Sequence, residues 1–324
     1  MLYLLYMKAV AYSIRAFERE FLAIANHKKH DVTLITNPLN LETAIYAEGK
    51  QAVIVFTNDD VSDKVIEKLA ALGIKRIITR STGTDHIDKA AASLHGIQVA
   101  NVPSYSPQAI AEHAVALALA LSRHLIAANQ NSHKFDFRNE ELIGFNFSGK
   151  TVGLIGLGNT GKAAANIFNG LGCHVIAYDL IFPDDVQNVT PVTLAQLLSA
   201  ADVISLHLPL TSDNKYLINI ETLVQMKQGI MLINTSRGAL MNTTDVLAAL
   251  EDGRIGYLGM DVYEHEHGLF FEDHRADRTK DELLQRLLEK PNVLITPHQA
   301  YLTKEALQEI ADRTIYNLDS FLIR

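Results

Sequence analysis

An arginine, two glutamates and a histidine stand just beyond three apolar runs. Ile230–Asn234 leads into Thr235-Ser236-Arg237-Gly238, Tyr257–Asp261 into Val262-Tyr263-Glu264-His265-Glu266, and Val293–Thr296 into Pro297-His298. The runs have the composition of buried parallel strands, and an open α/β sheet presents its ligand at the carboxyl ends of its strands. The fork of an arginine side chain holds a carboxylate and an adjacent keto oxygen together. An imidazole delivers a proton near neutral pH, and a carboxylate beside it orients the ring and stabilises its charged form. Those three tasks are what reduction of a 2-oxo acid demands. Any one of these residues alone is an ordinary polar strand cap; together, beside a nucleotide site, they point to chemistry. Spacing leaves Glu264 and Glu266 as equal candidates for the carboxylate.

The nucleotide site is expected at Thr151–Ile155, an apolar run followed by Gly156-Leu157-Gly158-Asn159-Thr160-Gly161 and the helical pattern Lys162–Phe168. In this context Gly156 permits a tight turn, Gly158 lets a pyrophosphate approach the backbone, and Gly161 lets the helix pack close to the sheet. The helix N-terminus then faces the anion with unpaired N–H groups. Asp179 ends the next strand pattern, 18 residues after Gly161, where a carboxylate accepts from ribose hydroxyls and repels a 2′-phosphate. No arginine occurs in the following Leu180-Ile181-Phe182-Pro183, so NAD is expected rather than NADP. His207 would line the adenine pocket or cap its strand. His265, His267 and His274 lack HExxH spacing and no CxxC exists, so no metal is expected.

Elements that could position these groups follow from the rest of the chain. Its 324 residues, 48% hydrophobic and 20% charged, suffice for two globular cores. Short β-rich runs alternate with amphipathic stretches, the pattern of an α/β protein. Strands are expected at Lys8–Tyr12, Asp31–Ile35, Ala52–Val55, Arg76–Thr79 and Gln98–Ala100, with helices over Arg15–Asn26 and Asp63–Leu72. Pro103 and Pro107 then mark a hinge, followed by one long helix over Gln108–His133. A second alternation supplies six strands: the four runs already named, with His174–Tyr178 and Val203–Leu206. They fit a doubly wound Rossmann domain at 105–301. The last helix, Lys304–Leu322, has no strands of its own and is expected to pack back on the first unit. The smaller substrate domain would then be discontinuous, 1–104 plus 302–324.

Several partners are excluded. A net charge of -8 without a basic block argues against nucleic acid. MLYLLY is shorter than the roughly 7–15 apolar residues of a signal core and reads as an upstream start or a short arm. Ala111–Leu121 begins with Glu112 and His113 and is followed by Arg123 and His124, which suits a buried helix rather than a membrane span. Cys173 is the single cysteine, so no internal disulfide forms; it reads as packing in a cytoplasmic enzyme.

The motifs GLGNTG, SLHLPLT, INTSRGAL, GMDVYEHE and ITPHQAYLT together resemble the D-isomer-specific 2-hydroxyacid dehydrogenase family, over nearly the whole chain. Tyr105-Ser106-Pro107, Leu269-Phe270-Phe271-Glu272-Asp273-His274 and the residues from His298 to Thr303 resemble its lactate-type members most. The resemblance implies a Rossmann domain and a flavodoxin-like substrate domain about a cleft, NADH as cofactor, and Arg237, Glu266 and His298 as the catalytic three. Glu266 is chosen because the family's glutamate lies five positions after the aspartate matching Asp261; Glu264 is then a surface or helix-initiating carboxylate. Asp261 would bind the nicotinamide amide beside the backbone of Thr235 and Ser236, with Asn159, Thr160, Leu208, Pro209 and Asn214 lining the rest of the cofactor. Backbone N–H groups near Thr82 and Gly83 would seat the substrate carboxylate, and Tyr105 and Tyr301 would confine its side chain. The expected reaction is NADH-dependent reduction of pyruvate to D-lactate. Bulkier 2-oxo acids, glyoxylate and hydroxypyruvate are the alternative substrates, and an NADH-sensing corepressor-like protein is the remote one. The long apolar helix resembles the family's dimer element, so a homodimer or dimer-based tetramer is expected.

Overall fold

The computed structural model describes residues 6–277 and 280–322. Residues 1–5, and with them the choice between an upstream start and an appended arm, lie outside the described residues. The chain forms two compact units, residues 1–106 with 302–324 and residues 107–301.

The first unit runs β1 (Lys8–Ala11), α1 (Glu18–Asn26), β2 (Asp31–Leu34), β3 (Ala52–Val55), α2 (Asp63–Ala71), β4 (Arg76–Thr79), α3 (Lys89–Leu94) and β5 (Gln98–Ala100). Among the described residues its sheet has the order β2-β1-β3-β4-β5 with every pairing parallel, the flavodoxin-like arrangement. Composition explains the positions. The central β3 is apolar and buried at all four residues because helices cover both faces, whereas the edge strand β2 alternates exposed and half-buried residues.

The second unit opens with α4 (Pro107–Ser122) and α5 (Leu125–His133). Then come β6 (Thr151–Ile155), α6 (Asn159–Gly170), β7 (His174–Tyr178), β8 (Val189–Pro191), α7 (Leu194–Ala200) and β9 (Val203–Leu206). It finishes with α8 (Ile220–Leu223), β10 (Ile230–Asn234), α9 (Thr243–Glu251), β11 (Ile255–Met260), α10 (Glu282–Leu288) and β12 (Val293–Ile295). The sheet order among the described residues is β12-β11-β10-β9-β6-β7-β8, so the chain reverses its direction of travel between β6 and β9. That reversal is where a doubly wound sheet opens a crevice for its ligand.

Two expectations need correction. The helix expected over 108–133 is two helices, bent by 61°. His124 takes φ 50°, and the Ser122 carbonyl accepts from the Phe145 amide, so the last turn of α4 is capped by a distant segment instead of continuing. The second sheet also has a seventh strand, β8, a three-residue edge piece ending in Pro191 and too short to show a period. Among the described residues no single helix is long and apolar enough to cross a membrane.

The chain then closes with α11 (Lys304–Ser320), whose first turn is capped by the Thr303 hydroxyl on the Ala306 amide. Ala311, Ile315 and Leu318, one face of this helix, join Ala9, Ala11, Leu22, Ile54 and Ile78 in a core of the first unit. Burying an aliphatic side chain of that size stabilises by roughly 1.5–3 kcal/mol, enough to hold the terminal helix on this unit.

Candidate active site

The glycine loop occupies the reversal between β6 and β9. Gly156 has φ 94°, and a Cβ there would stand 2.3 Å from the His207 carbonyl oxygen. At Gly161 a Cβ would meet the Gly156 oxygen at 2.2 Å, so both positions exclude a side chain. Gly158 is different: nothing lies within 4 Å of its absent Cβ, which leaves room for a ligand. It is also the N-cap of α6 and makes no side-chain capping bond, so the first-turn amides of Asn159, Thr160 and Gly161 remain for an anion. Asp179 follows β7 and accepts from the Leu157 amide (2.6 Å) and the Ile181 amide (3.1 Å). It therefore shapes the loop itself while keeping lone pairs for a ribose.

The next strand ends carry two buried polar atoms without a partner among the described residues, His207 Nδ1 and Thr235 Oγ1. They follow β9 and β10, which are paired so that Leu206 faces Asn234. His207 Nε2 meets the Ser205 hydroxyl at 2.9 Å, and burial pushes the imidazole down to about 4, so it is neutral near pH 7. Orphaned polar atoms beside an uncapped helix start and an open glycine fit a polar, anionic dinucleotide. Ser236 donates to the Leu206 carbonyl (2.7 Å). Leu208 and Pro209 begin the loop after β9, and Asn214 closes it, donating to the Pro209 carbonyl and accepting from the Thr211 amide.

Arg237 leaves β10 in an extended conformation, with Nη1 on the Ser236 carbonyl at 2.8 Å. The following Gly238 packs so tightly that a Cβ would lie 2.0 Å from the Tyr263 carbonyl carbon. This glycine lets the arginine loop press against the loop carrying Glu266. Glu266 spans two partners: Oε2 accepts from the Tyr263 amide (3.0 Å) and Oε1 meets His298 Nδ1 (2.8 Å). The two side chains are 25% and 16% exposed, and His298 Nε2 has no protein partner among the described residues. A carboxylate on Nδ1 fixes the tautomer and leaves Nε2 to carry the transferable proton.

Asp261 is 1% exposed and does structural work that sequence alone did not disclose. Its Oδ1 accepts from the Thr296 hydroxyl and the Gln299 amide (2.9 Å), and its Oδ2 from the Ala300 amide (2.7 Å). Its main-chain carbonyl accepts from the His298 amide at 2.8 Å. The turn bearing His298, a residue at φ 52°, is thus wrapped on one carboxylate. Glu264 is not the surface or helix-initiating carboxylate expected once Glu266 is taken as the catalytic one. Its side chain is 7% exposed, paired with His265 at 3.1 Å, and it holds the Tyr216 phenol above its ordinary range by its charge.

In the first unit the loop after β4 is organised by its own hydroxyls. Ser81 donates to the Gly83 carbonyl (2.7 Å) and Thr82 to the Val102 carbonyl (2.9 Å), while Asn101 donates to the Thr82 carbonyl (2.8 Å). Carbonyls are thereby turned into the protein, the condition for presenting N–H groups outward. Tyr105 belongs to this unit and Tyr301 is the last residue of the other.

Residues 115–300 match the family profile described as D-isomer specific 2-hydroxyacid dehydrogenase, NAD binding domain. D-lactate dehydrogenase of Escherichia coli is 41% identical over 318 residues, 97% of this chain and 96% of that protein. Among solved structures, the pyruvate reductase of Chlamydomonas reinhardtii superposes with a TM-score of 0.92 at 40% identity, covering 98% of this chain and 97% of that one. D-lactate dehydrogenase of Aquifex aeolicus, complexed with NAD and lactic acid, superposes with a TM-score of 0.88 at 30% identity, covering 98% and 96%.

Proposed function

The chain belongs to the D-isomer-specific 2-hydroxyacid dehydrogenase family, and we propose that within it this protein reduces pyruvate to D-lactate with NADH. The observation that carries the reading is the 2.8 Å pair of Glu266 and His298 on the strand edge that also bears Arg237. NADH, when bound, supplies the hydride to the keto carbon. Arg237 holds the substrate carboxylate and keto oxygen, and His298 Nε2 gives the proton to that oxygen while Glu266 stabilises the imidazolium. Gly156, Gly158, Asn159, Thr160 and Gly161 receive the pyrophosphate, and Asp179 receives the ribose. Asp261 Oδ2 takes one donor in the protein and so retains capacity for the nicotinamide carboxamide. The amides around Thr82 and Gly83 take the substrate carboxylate, with Tyr105 and Tyr301 confining a methyl group.

NADH oxidation against a panel of 2-oxo acids tests the reading: pyruvate should be the preferred substrate and chiral analysis should give D-lactate. A preference for glyoxylate, hydroxypyruvate or phenylpyruvate, or an L product, overturns it. Arg237→Ala should abolish turnover while NADH still binds; loss of both would remove Arg237 from the substrate role.

We further propose that the functional particle is a homodimer, alone or paired into a tetramer. Leu125, Ile126, Phe135, Phe137 and Ile143 are 50–85% exposed along α5 and the segment that follows it, an apolar concentration that a monomer would not leave in water. Light scattering at micromolar concentration should give twice or four times the chain mass, and a monomer would sink the idea.

A further inference from the structure

The approach of α4 to β11 is set by a missing side chain. Gly259 lies under the helix, where a Cβ would stand 3.2 Å from Leu117 Cβ and 3.2 Å from Leu121 Cδ1. One turn before Leu117 on the same helix face is His113, and two residues after Gly259, just past the end of β11, is Asp261. The close approach therefore brings an imidazole down onto the carboxylate that holds the His298 turn. His113 Nε2 lies 2.9 Å from the Thr296 hydroxyl and 3.5 Å from Asp261 Oδ1, with the His113 side chain 19% exposed.

Donor and acceptor counting gives this contact a direction. The Thr296 hydroxyl has one proton, and Asp261 Oδ1 is an acceptor, so that proton goes to the carboxylate. The hydroxyl oxygen is left to accept, and His113 must carry its proton on Nε2 to fill it. A chain results, His113 Nε2–H to Thr296 Oγ–H to Asp261 Oδ1. Asp261 is otherwise held by amide and hydroxyl dipoles alone, and His113 is the one ionisable side chain within ion-pair distance of it among the described residues. Glu112, next on α4, is exposed and accepts from Gln108 instead.

We propose that His113 is a positioning residue for the reduction, acting through Thr296 and Asp261 to hold the turn that presents His298. This rests on His298 being the proton donor of the proposed function. His113 does not touch the His298–Glu266 pair directly; it fixes the rotamer of the Thr296 hydroxyl and so the orientation of the carboxylate on which residues 296–300 hang. Displacing a reacting group by about 1 Å costs on the order of a hundredfold in rate, so a small slackening of this turn is read in kcat.

The test compares His113→Phe, His113→Gln and Thr296→Val in the full-length protein. His113→Phe removes the donor; kcat should fall about 10- to 100-fold while KM for NADH rises by less than the fall in kcat, because the glycine loop that seats the pyrophosphate is untouched and only the Asp261 contact to the nicotinamide end is loosened. Glutamine can offer an N–H from a similar reach, so His113→Gln should recover most of the rate. Thr296→Val should match His113→Phe, and the double variant should be no worse than either single one, since both cut the same chain. A kcat within twofold of wild type for His113→Phe, no rescue by glutamine, or multiplicative losses in the double variant would overturn the proposal. Hydrogen exchange separates its failure from failure of the reading beneath it. If no 2-oxo acid is turned over by the wild type, the proposed function falls, yet the Gln299 and Ala300 amides should still exchange faster in His113→Phe with β6 unchanged. Equal exchange in both proteins would refute the positioning role whatever the substrate.

Discussion

The first unit contains an ionic cluster that, on paper, looks as reactive as the one in the second. Arg80 is 1% exposed; its Nε meets Glu18 at 3.1 Å and its two Nη atoms donate to the carbonyls of Tyr12 and Ser13. Asp59, also 1% exposed, accepts from the Ser13 hydroxyl (2.7 Å) and the amides of Leu39 (2.7 Å) and Phe56 (2.6 Å). Burial pushes the Asp59 carboxyl above its usual range against the pull of those donors. Every strong group here is paired within the protein, and the pairs tie the ends of β1, β3 and β4 to α1. The Glu266–His298 pair is shallower, and one imidazole nitrogen has no protein partner among the described residues. Saturated and dry is the condition of architecture; partly exposed with one position open is the condition of chemistry.

Substitutions should separate the two clusters. The largest effect is expected at His298→Asn, a loss of about 10²–10⁴ in kcat with an unchanged melting temperature; a loss under tenfold would erase the distinction. Asp59→Ala should do the reverse, lowering stability in urea by about 3–5 kcal/mol because three buried donors, the Ser13 hydroxyl and the Leu39 and Phe56 amides, lose their acceptor. A change below about 1 kcal/mol would show that the cluster is not structural.

His207 sharpens the comparison by pH. Its folded value of about 4 lies below the ordinary 6.5, so between those pH values the unfolded chain binds a proton that the folded one does not. Stability should therefore fall on acidification through this window, by up to about 3 kcal/mol from this group, and His207→Gln should flatten the slope measured by urea unfolding at pH 7, 6, 5 and 4. An identical slope in the variant would rule out the assignment. The smallest effect is expected at the exposed pair Arg138–Asp136, although the guanidinium pulls the Asp136 carboxyl down to about 2. Arg138→Gln should leave the melting temperature unchanged, since solvent screens an exposed ion pair.

The recognition elements were legible because they are local. A buried parallel strand announces itself by its apolar run, and strand, glycine loop and helix sit within some twenty consecutive residues, Thr151–Gly170. The polar residues Arg237, Glu266 and His298 were visible as interruptions just past strand ends. Less was legible where a distant segment decides. The break between α4 and α5 depends on Phe145 reaching Ser122, and the burial of Glu264 depends on Tyr216 and His265 around it. Spacing could not choose between Glu264 and Glu266; the 2.8 Å contact with His298 belongs to Glu266.

The sequence by itself determined most of the element order, the α4–α5 break and the edge strand β8 excepted, together with the nucleotide loop and the residue types at the strand ends, because periodicity and glycine placement act over a few residues. Only the tertiary structure decided which group meets which. His113 and Thr296 are separated by 183 positions, and they meet because Gly259 lets a helix settle onto a strand; no local pattern carries that information.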